Sequence, residues 1–173
     1  PGGHPRAGGS YGGRGGGHTA AVYGAGAYGE ETAPLYPGSG GRNGAGYKQH
    51  GGKGGGLIRL DVARKFTLGG TLAASGQEAF GYYRSGGAGG GIYVRCRRFD
   101  GTGGTIRADG GGGGGENVGG GGGGGRIAVW RNRGDEIPVS VAGGAGRNND
   151  IAGEPGTFYW GTIPDGGTVL VLR

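Results

Sequence analysis

The chain has 173 residues, 56 of them glycine, with 32% hydrophobic and 17% charged residues and a net charge of +6. Glycine at one residue in three excludes an ordinary helical domain, since each interior glycine costs about 1 kcal/mol relative to alanine. Seven prolines without a Gly-X-Y period exclude collagen, a lone cysteine excludes a disulfide scaffold, and no run of eighteen apolar residues exists to span a membrane.

Such a composition raises disorder as the alternative to folding. A glycine-rich chain that does order must satisfy its backbone N–H and C=O groups systematically. With few side chains to pack, backbone pairing is the main resource left. The expected class is all-β: a short glycine-rich parallel β-solenoid of stacked β repeats with polyglycine II segments and essentially no α-helix.

In chain order, residues 1–53 form a glycine-rich N-terminal arm and a divergent first repeat. The chain starts at Pro1 and lacks methionine, which suits a processed protein or a piece of a longer precursor. Gly24-Ala25-Gly26-Ala27-Tyr28-Gly29 matches the G-x-G-x-x-G of dinucleotide sites. Pro34 would break the helix that such a turn must open, so the match is read as chance. His4, His18 and His50 show no metal-ligand spacing, and Cys96 has no partner of that kind.

Residues 54–155 hold three repeats of about 34 residues, opening at Gly54, Gly89 and Gly123. The first reads GGGLIRLDV, ARKFTL, GGTLAASGQ; the second GGGIYVRCR, RFDGT, GGTIRADGG; the third GGGRIAVWR, NRGDEI, PVSVAGGAG. Ile58, Leu60 and Val62 alternate with Arg59 and Asp61. Ile92, Val94 and Cys96 alternate with Tyr93, Arg95 and Arg97. Ile127 and Val129 alternate with Ala128 and Trp130. A period of two predicts strands with one buried face, and Cys96 falls on that face as a small core residue. Shorter strands are predicted at 71–74, 105–108 and 139–141, with a turn at Asp100-Gly101-Thr102-Gly103. The runs Gly110–Gly115 and Gly119–Gly125, on either side of Glu116-Asn117-Val118, read as floppy linkers or as paired polyglycine II strands stacked in register. The second reading is preferred. Gly143-Gly144-Ala145-Gly146-Arg147-Asn148 begins like a calcium-binding nonapeptide but carries Asp150 where the apolar residue belongs, so a solvated turn is expected.

Residues 156–173 form a degenerate last repeat with a C-terminal edge strand, Thr168-Val169-Leu170-Val171-Leu172. A bare apolar strand is an open pairing edge.

The wording G-G-G-x-I-x-V, G-T-I-x-A-x-G-G, poly-Gly, G-G-G-R-I-A-V-W resembles glycine-rich repeat regions of large bacterial secreted and cell-surface proteins, over roughly residues 8–160. By composition alone the chain is also similar to the polyglycine II sandwiches of phage tail-tip adhesins. The first resemblance implies an exported surface or matrix role without catalytic residues.

The expected function is an extracellular structural protein that self-assembles head-to-tail into filaments, with the N-terminal arm lying along the neighbouring copy. Its partner is itself, a homopolymer, with cell-envelope polysaccharide as a further partner. Interface candidates are Val169, Leu170, Val171, Leu172, Trp130, Trp160 and Tyr93. The alternative is an adhesin or carbohydrate-binding repeat module of a larger surface protein, with Tyr93 and Trp130 as a glycan-stacking ladder. Arg95, Arg97 and Arg98 beside Tyr93, with one Arg-Gly-Gly triplet at Arg14, raise nucleic acid. They are read instead as the solvated face of a strand, so no nucleic acid is expected. No catalytic, cofactor-binding or metal residues are assigned, and the chain is not expected to be an enzyme.

Overall fold

The computed structural model describes residues 7–17, 23–43, 50–81, 83–114, 119–148 and 150–164. Among them there is no helix. The strands are β1 (Leu57–Thr67), β2 (Thr71–Ala73), β3 (Gly91–Asp100), β4 (Thr105–Arg107), β5 (Arg126–Gly134), β6 (Val139–Ser140) and β7 (Thr157–Thr162). They form two parallel sheets, ordered β1-β3-β5-β7 and β2-β4-β6. The protein is therefore all-β and parallel. Among the described residues the two sheets do not join into a closed coil.

The apolar face sets the register. Ile58, Ile92, Ile127 and Phe158 stand in one row, and Leu60, Val94, Val129 and Trp160 in another. Aligning the Gly-Gly-Gly openings would have put Leu57 opposite Ile92; the observed partner of Leu57 is Gly91. A slip of one residue turns a whole apolar set out to solvent, so burial overrides the glycine alignment. The strands also run through stretches expected to connect them. Phe66 and Phe99 continue the inward face, with ring centroids 5.6 Å apart, and hold β1 and β3 extended to Thr67 and Asp100. A register shift between Val62 and Lys65 absorbs the extra residue of β1. The expected turn follows β3: Gly104 N–H donates to Gly101 O at 2.8 Å, and Gly103 takes φ 77°, which glycine adopts without a Cβ penalty.

The core is small and draws on both sheets. Ile92, Val94, Cys96, Phe99, Ile106, Ala108, Ile127 and Val129 are buried, with Leu72, Val139 and Val141 of the smaller sheet's chain segments packed against them.

Beyond the strands, glycine-rich segments bond to one another with a period of three. In 85–90, Ser85 and Ala88 donate to Arg42 and Ser39; Gly86 and Gly89 donate to Gly120 and Gly123; Gly87 and Gly90 donate to Gln77 and Ala74. These bonds measure 2.7–3.1 Å. Its carbonyls in turn accept from Gly9, from Gly52 and Gly55, and from Gly111. Residues 119–125 behave alike: Gly121 and Gly124 donate to Ile151 and Glu154, Gly122 and Gly125 to Gly111 and Ala108, and Gly123 to Gly9. Segments 85–90 and 119–125 are buried along their whole length. A floppy linker at 119–125 is thereby excluded. The described part of the N-terminal arm also belongs to this bundle: Gly13 and Gly16 donate to Gly124 and Gly121, and Tyr11 is fully buried. Residues 7–17 thus pack within their own subunit, where their backbone groups find partners.

A polar cluster ties the smaller sheet to the bundle. Asp109 accepts from the Ser140 hydroxyl, from Ala142 N–H at 2.9 Å and from Arg107 Nε at 2.9 Å, while its own N–H donates to Ser75 Oγ at 3.2 Å. Burial pushes its carboxyl pKa up, but the bonds from Ser140, Arg107 and Ala142 outweigh this and hold it below the usual value of 3.8.

A Cβ at Gly122 would overlap the carbonyl oxygen of Gly87, whereas one at Gly69 meets nothing within 4 Å. Gly122→Ala is expected to lower stability by about 3 kcal/mol, the upper end of overpacking costs, and Gly69→Ala to raise it by about 0.5 kcal/mol, read from urea unfolding. Because Asp109 titrates lower in the folded chain than in the unfolded one, its contribution is complete above about pH 5 and disappears as pH falls through the depressed pKa. Asp109→Asn is expected to flatten the acid limb of the stability–pH curve.

Candidate functional site: the outer face and edges of the four-stranded sheet

The face of the larger sheet opposite the core carries the charged and aromatic side chains. Its N-terminal end is covered by residues 23–36. Arg126 is 5% exposed and holds that cover. Its Nε donates to Tyr28 O at 2.9 Å, and its Nη1 donates to Thr157 Oγ1 at 2.9 Å and lies 3.4 Å from Glu31. Tyr11, Tyr28 and Tyr36 cluster beside it, with centroids 5.0 and 6.3 Å apart. Burial pushes the phenol pKa of both Tyr11 and Tyr28 up. A buried charge with this many partners is a structural clamp; the sequence marks it only as the arginine after a glycine run.

The sequence-derived candidates separate here. Tyr93 is 9% exposed and capped by the Arg59 guanidinium 4.4 Å from its ring centroid. Trp160 points to the core, edge-on to Phe99 at 5.8 Å, with Arg131 4.6 Å from its ring. Both are occupied within their own subunit. Trp130 lies on the outer face, its Nε1 donating to Thr32 O at 2.7 Å and its ring 5.2 Å from Tyr159. Tyr93 pairs with Arg59 and Ala128, and Trp130 with Arg95 and Gly161, so the two aromatics sit on different rows and form no ladder. Val169, Leu170, Val171 and Leu172 lie outside the described residues.

The two outermost strands show what the sequence reading missed. Phe158 is 54% exposed on β7 and Leu57 41% on β1, and Tyr159 is exposed beside Phe158. Phe158 ends the apolar row of Ile58, Ile92 and Ile127, whereas Leu57 stands in the row of Gly91, Arg126 and Thr157; their exposure follows from strand order.

Past the covered end, the outer face opens into a groove of about 580 Å³ running across the strands. Asp61, Ala63, Arg95, Arg97, Asn132 and Pro164 line it. Asn132 Nδ2 donates to Ile163 O at 2.9 Å and pins the far wall. Asp61 is engaged by Arg59 at 3.3 Å. Cys96 lies under the groove at 1% exposure, and burial pushes its thiol up. Among the described residues no cluster of three His, Cys, Asp or Glu side chains converges as a metal site, and no helix is long and apolar enough to cross a membrane.

Comparison with family models, with curated proteins and with solved structures returns no match for this chain.

The buried, protonated thiol generates a direct expectation. Cys96 should resist an aromatic disulfide reagent at pH 8 in native buffer and react fully once the chain is unfolded in guanidinium, followed by absorbance of the released thiolate.

Proposed function

We propose that this is an extracellular structural protein that assembles head-to-tail into filaments, as a surface fibre or matrix component. The observation that carries the reading is the pair of open edges of one parallel sheet. Among the described residues no strand pairs with the outer side of β1 or of β7. Because the sheet is parallel, β1 of one copy can join β7 of the next with strand direction preserved. Continuing the observed rows puts the partner's Ile58 beside Phe158 and the partner's Leu60 beside Trp160. The partner's Arg59 then meets Tyr159 in the same row in which Arg59 already caps Tyr93. Such a contact uses two different surfaces, and a rotation that does not close makes a filament.

The glycine segments suit a fibre held by backbone bonds. We read them as polyglycine II strands, because each sends successive N–H groups to three neighbours in turn, matching three residues per turn. This supports sheets continuing into a polyglycine II bundle over a closed β-solenoid. An exported location draws on the resemblance to glycine-rich regions of secreted proteins. The second reading, an adhesin or carbohydrate-binding module of a larger surface protein, draws on the groove across the outer face, since Tyr93 is buried and offers no stacking platform.

Negative-stain microscopy and sedimentation of the purified protein test the main reading. Regular filaments are expected, and Phe158→Asp is expected to yield folded monomers destabilised by about 1 kcal/mol, since the half-exposed Phe158 pairs with Ile127. A monodisperse wild-type monomer across the accessible concentration range would overturn the proposal.

A further inference from the structure

The strands β1, β3 and β5 carry nine basic and two acidic side chains, half of all the lysine and arginine in the chain. Their arrangement is more telling than their number. Lys65, Arg98 and Arg133 occupy one row across three adjacent strands. Lys65, Arg98 and Arg133 are all exposed, and the next row, Phe66, Phe99 and Gly134, holds the inward Phe99. Like charges directly opposite each other in a sheet are destabilising, and neighbouring strands stand only about 4.8 Å apart. Asp100 offsets Lys65 in this row. Among the described residues Arg98, Arg133, Arg95, Arg97 and Arg64 make no ion pair; Asp100 lies within electrostatic reach of Arg98, and Asp61, opposite Arg95, is held by Arg59.

Arg98 and Arg133 follow directly after Arg97 and Asn132 of the groove lining, and both groove and row cross the strands. A volume of about 580 Å³ lies within the range of small-ligand sites. Guanidinium groups take carboxylates in a two-pronged geometry that gives direction as well as charge. The groove lining contains no aromatic side chain. Single-stranded nucleic acid binding relies on aromatic platforms for successive bases, so the lining favours an anionic polymer that needs no stacking.

We propose that the groove formed by Arg95, Arg97 and Asn132, extended by the Arg98–Arg133 row, binds an anionic polysaccharide through its carboxylate groups. One subunit forms the whole site, so the inference stands apart from filament assembly, and it rests on the second reading, a carbohydrate-binding module, whose ligand class it names. It gives the outer face of a fibre a means of holding to an acidic matrix.

The test uses immobilised polygalacturonate as the probe, with dextran and poly(dT) as comparators, at a series of salt concentrations. Wild-type protein is expected to bind polygalacturonate, with affinity falling steeply as salt rises, and to leave dextran unbound. The double variant Arg95→Gln/Arg97→Gln is expected to bind at least about tenfold more weakly and to reduce the salt slope by about 2. Arg95→Lys/Arg97→Lys keeps the charge and loses the fork; an intermediate loss is expected, and circular dichroism checks that both variants fold. No binding to polygalacturonate at low salt would overturn the proposal. So would binding that neither variant alters, or equal or tighter binding of poly(dT), which would reassign the groove to nucleic acid.

Discussion

Everything in this fold depends on backbone hydrogen bonds between segments that come too close together for side chains. Segments 85–90 and 119–125 are buried along their length, and most of their backbone groups bond to other stretches of chain. An unpaired buried N–H or C=O costs as much as a lost hydrogen bond, and glycine loses more backbone entropy on ordering than any other residue. The bundle therefore holds only if nearly every group finds its partner. The threefold sequence of partners achieves this by distributing the bonds of each segment among several neighbours.

Given that bundle, the rest of the chain has limited freedom. The glycine segments deliver the chain into successive strands running in the same direction, so the sheets are parallel. The apolar side chains are too few for a large core and are concentrated between the two sheets, from Ile58 to Trp160 on one side and from Leu72 to Val141 on the other. The opposite face of the larger sheet is left to charges and to the Arg126 clamp under residues 23–36. A parallel sheet built this way has two unlike edges, and strand addition at those edges is the simplest route by which such a molecule meets its own kind.

Much of the architecture was legible. The period of two at 58–62, 92–96 and 127–129 identified the strands and their inward residues, including Cys96. The site was less so. Tyr93 and Trp130 looked equivalent as outward aromatics, yet Arg59 closes over one while Thr32 and Tyr159 brace the other. Phe158 and Leu57 gained their significance from standing on outermost strands, and strand order is a property of long-range pairing. The row of Lys65, Arg98 and Arg133 also escaped the linear reading. It exists because a register shift after Val62 brings residues separated by 33 and 35 positions into line.

The chain's own composition and periodicity determined that it would be all-β, that glycine would act through the backbone, and that one face of each strand would be buried. These are local consequences of missing Cβ atoms and of side chains alternating along a strand. Only the tertiary structure decided the pairing register, the neighbours of each glycine segment, and which arginines stand together across the strands. Those depend on contacts between distant segments, where burial of Ile58, Ile92 and Ile127 in one row outweighs the alignment of their glycine openings.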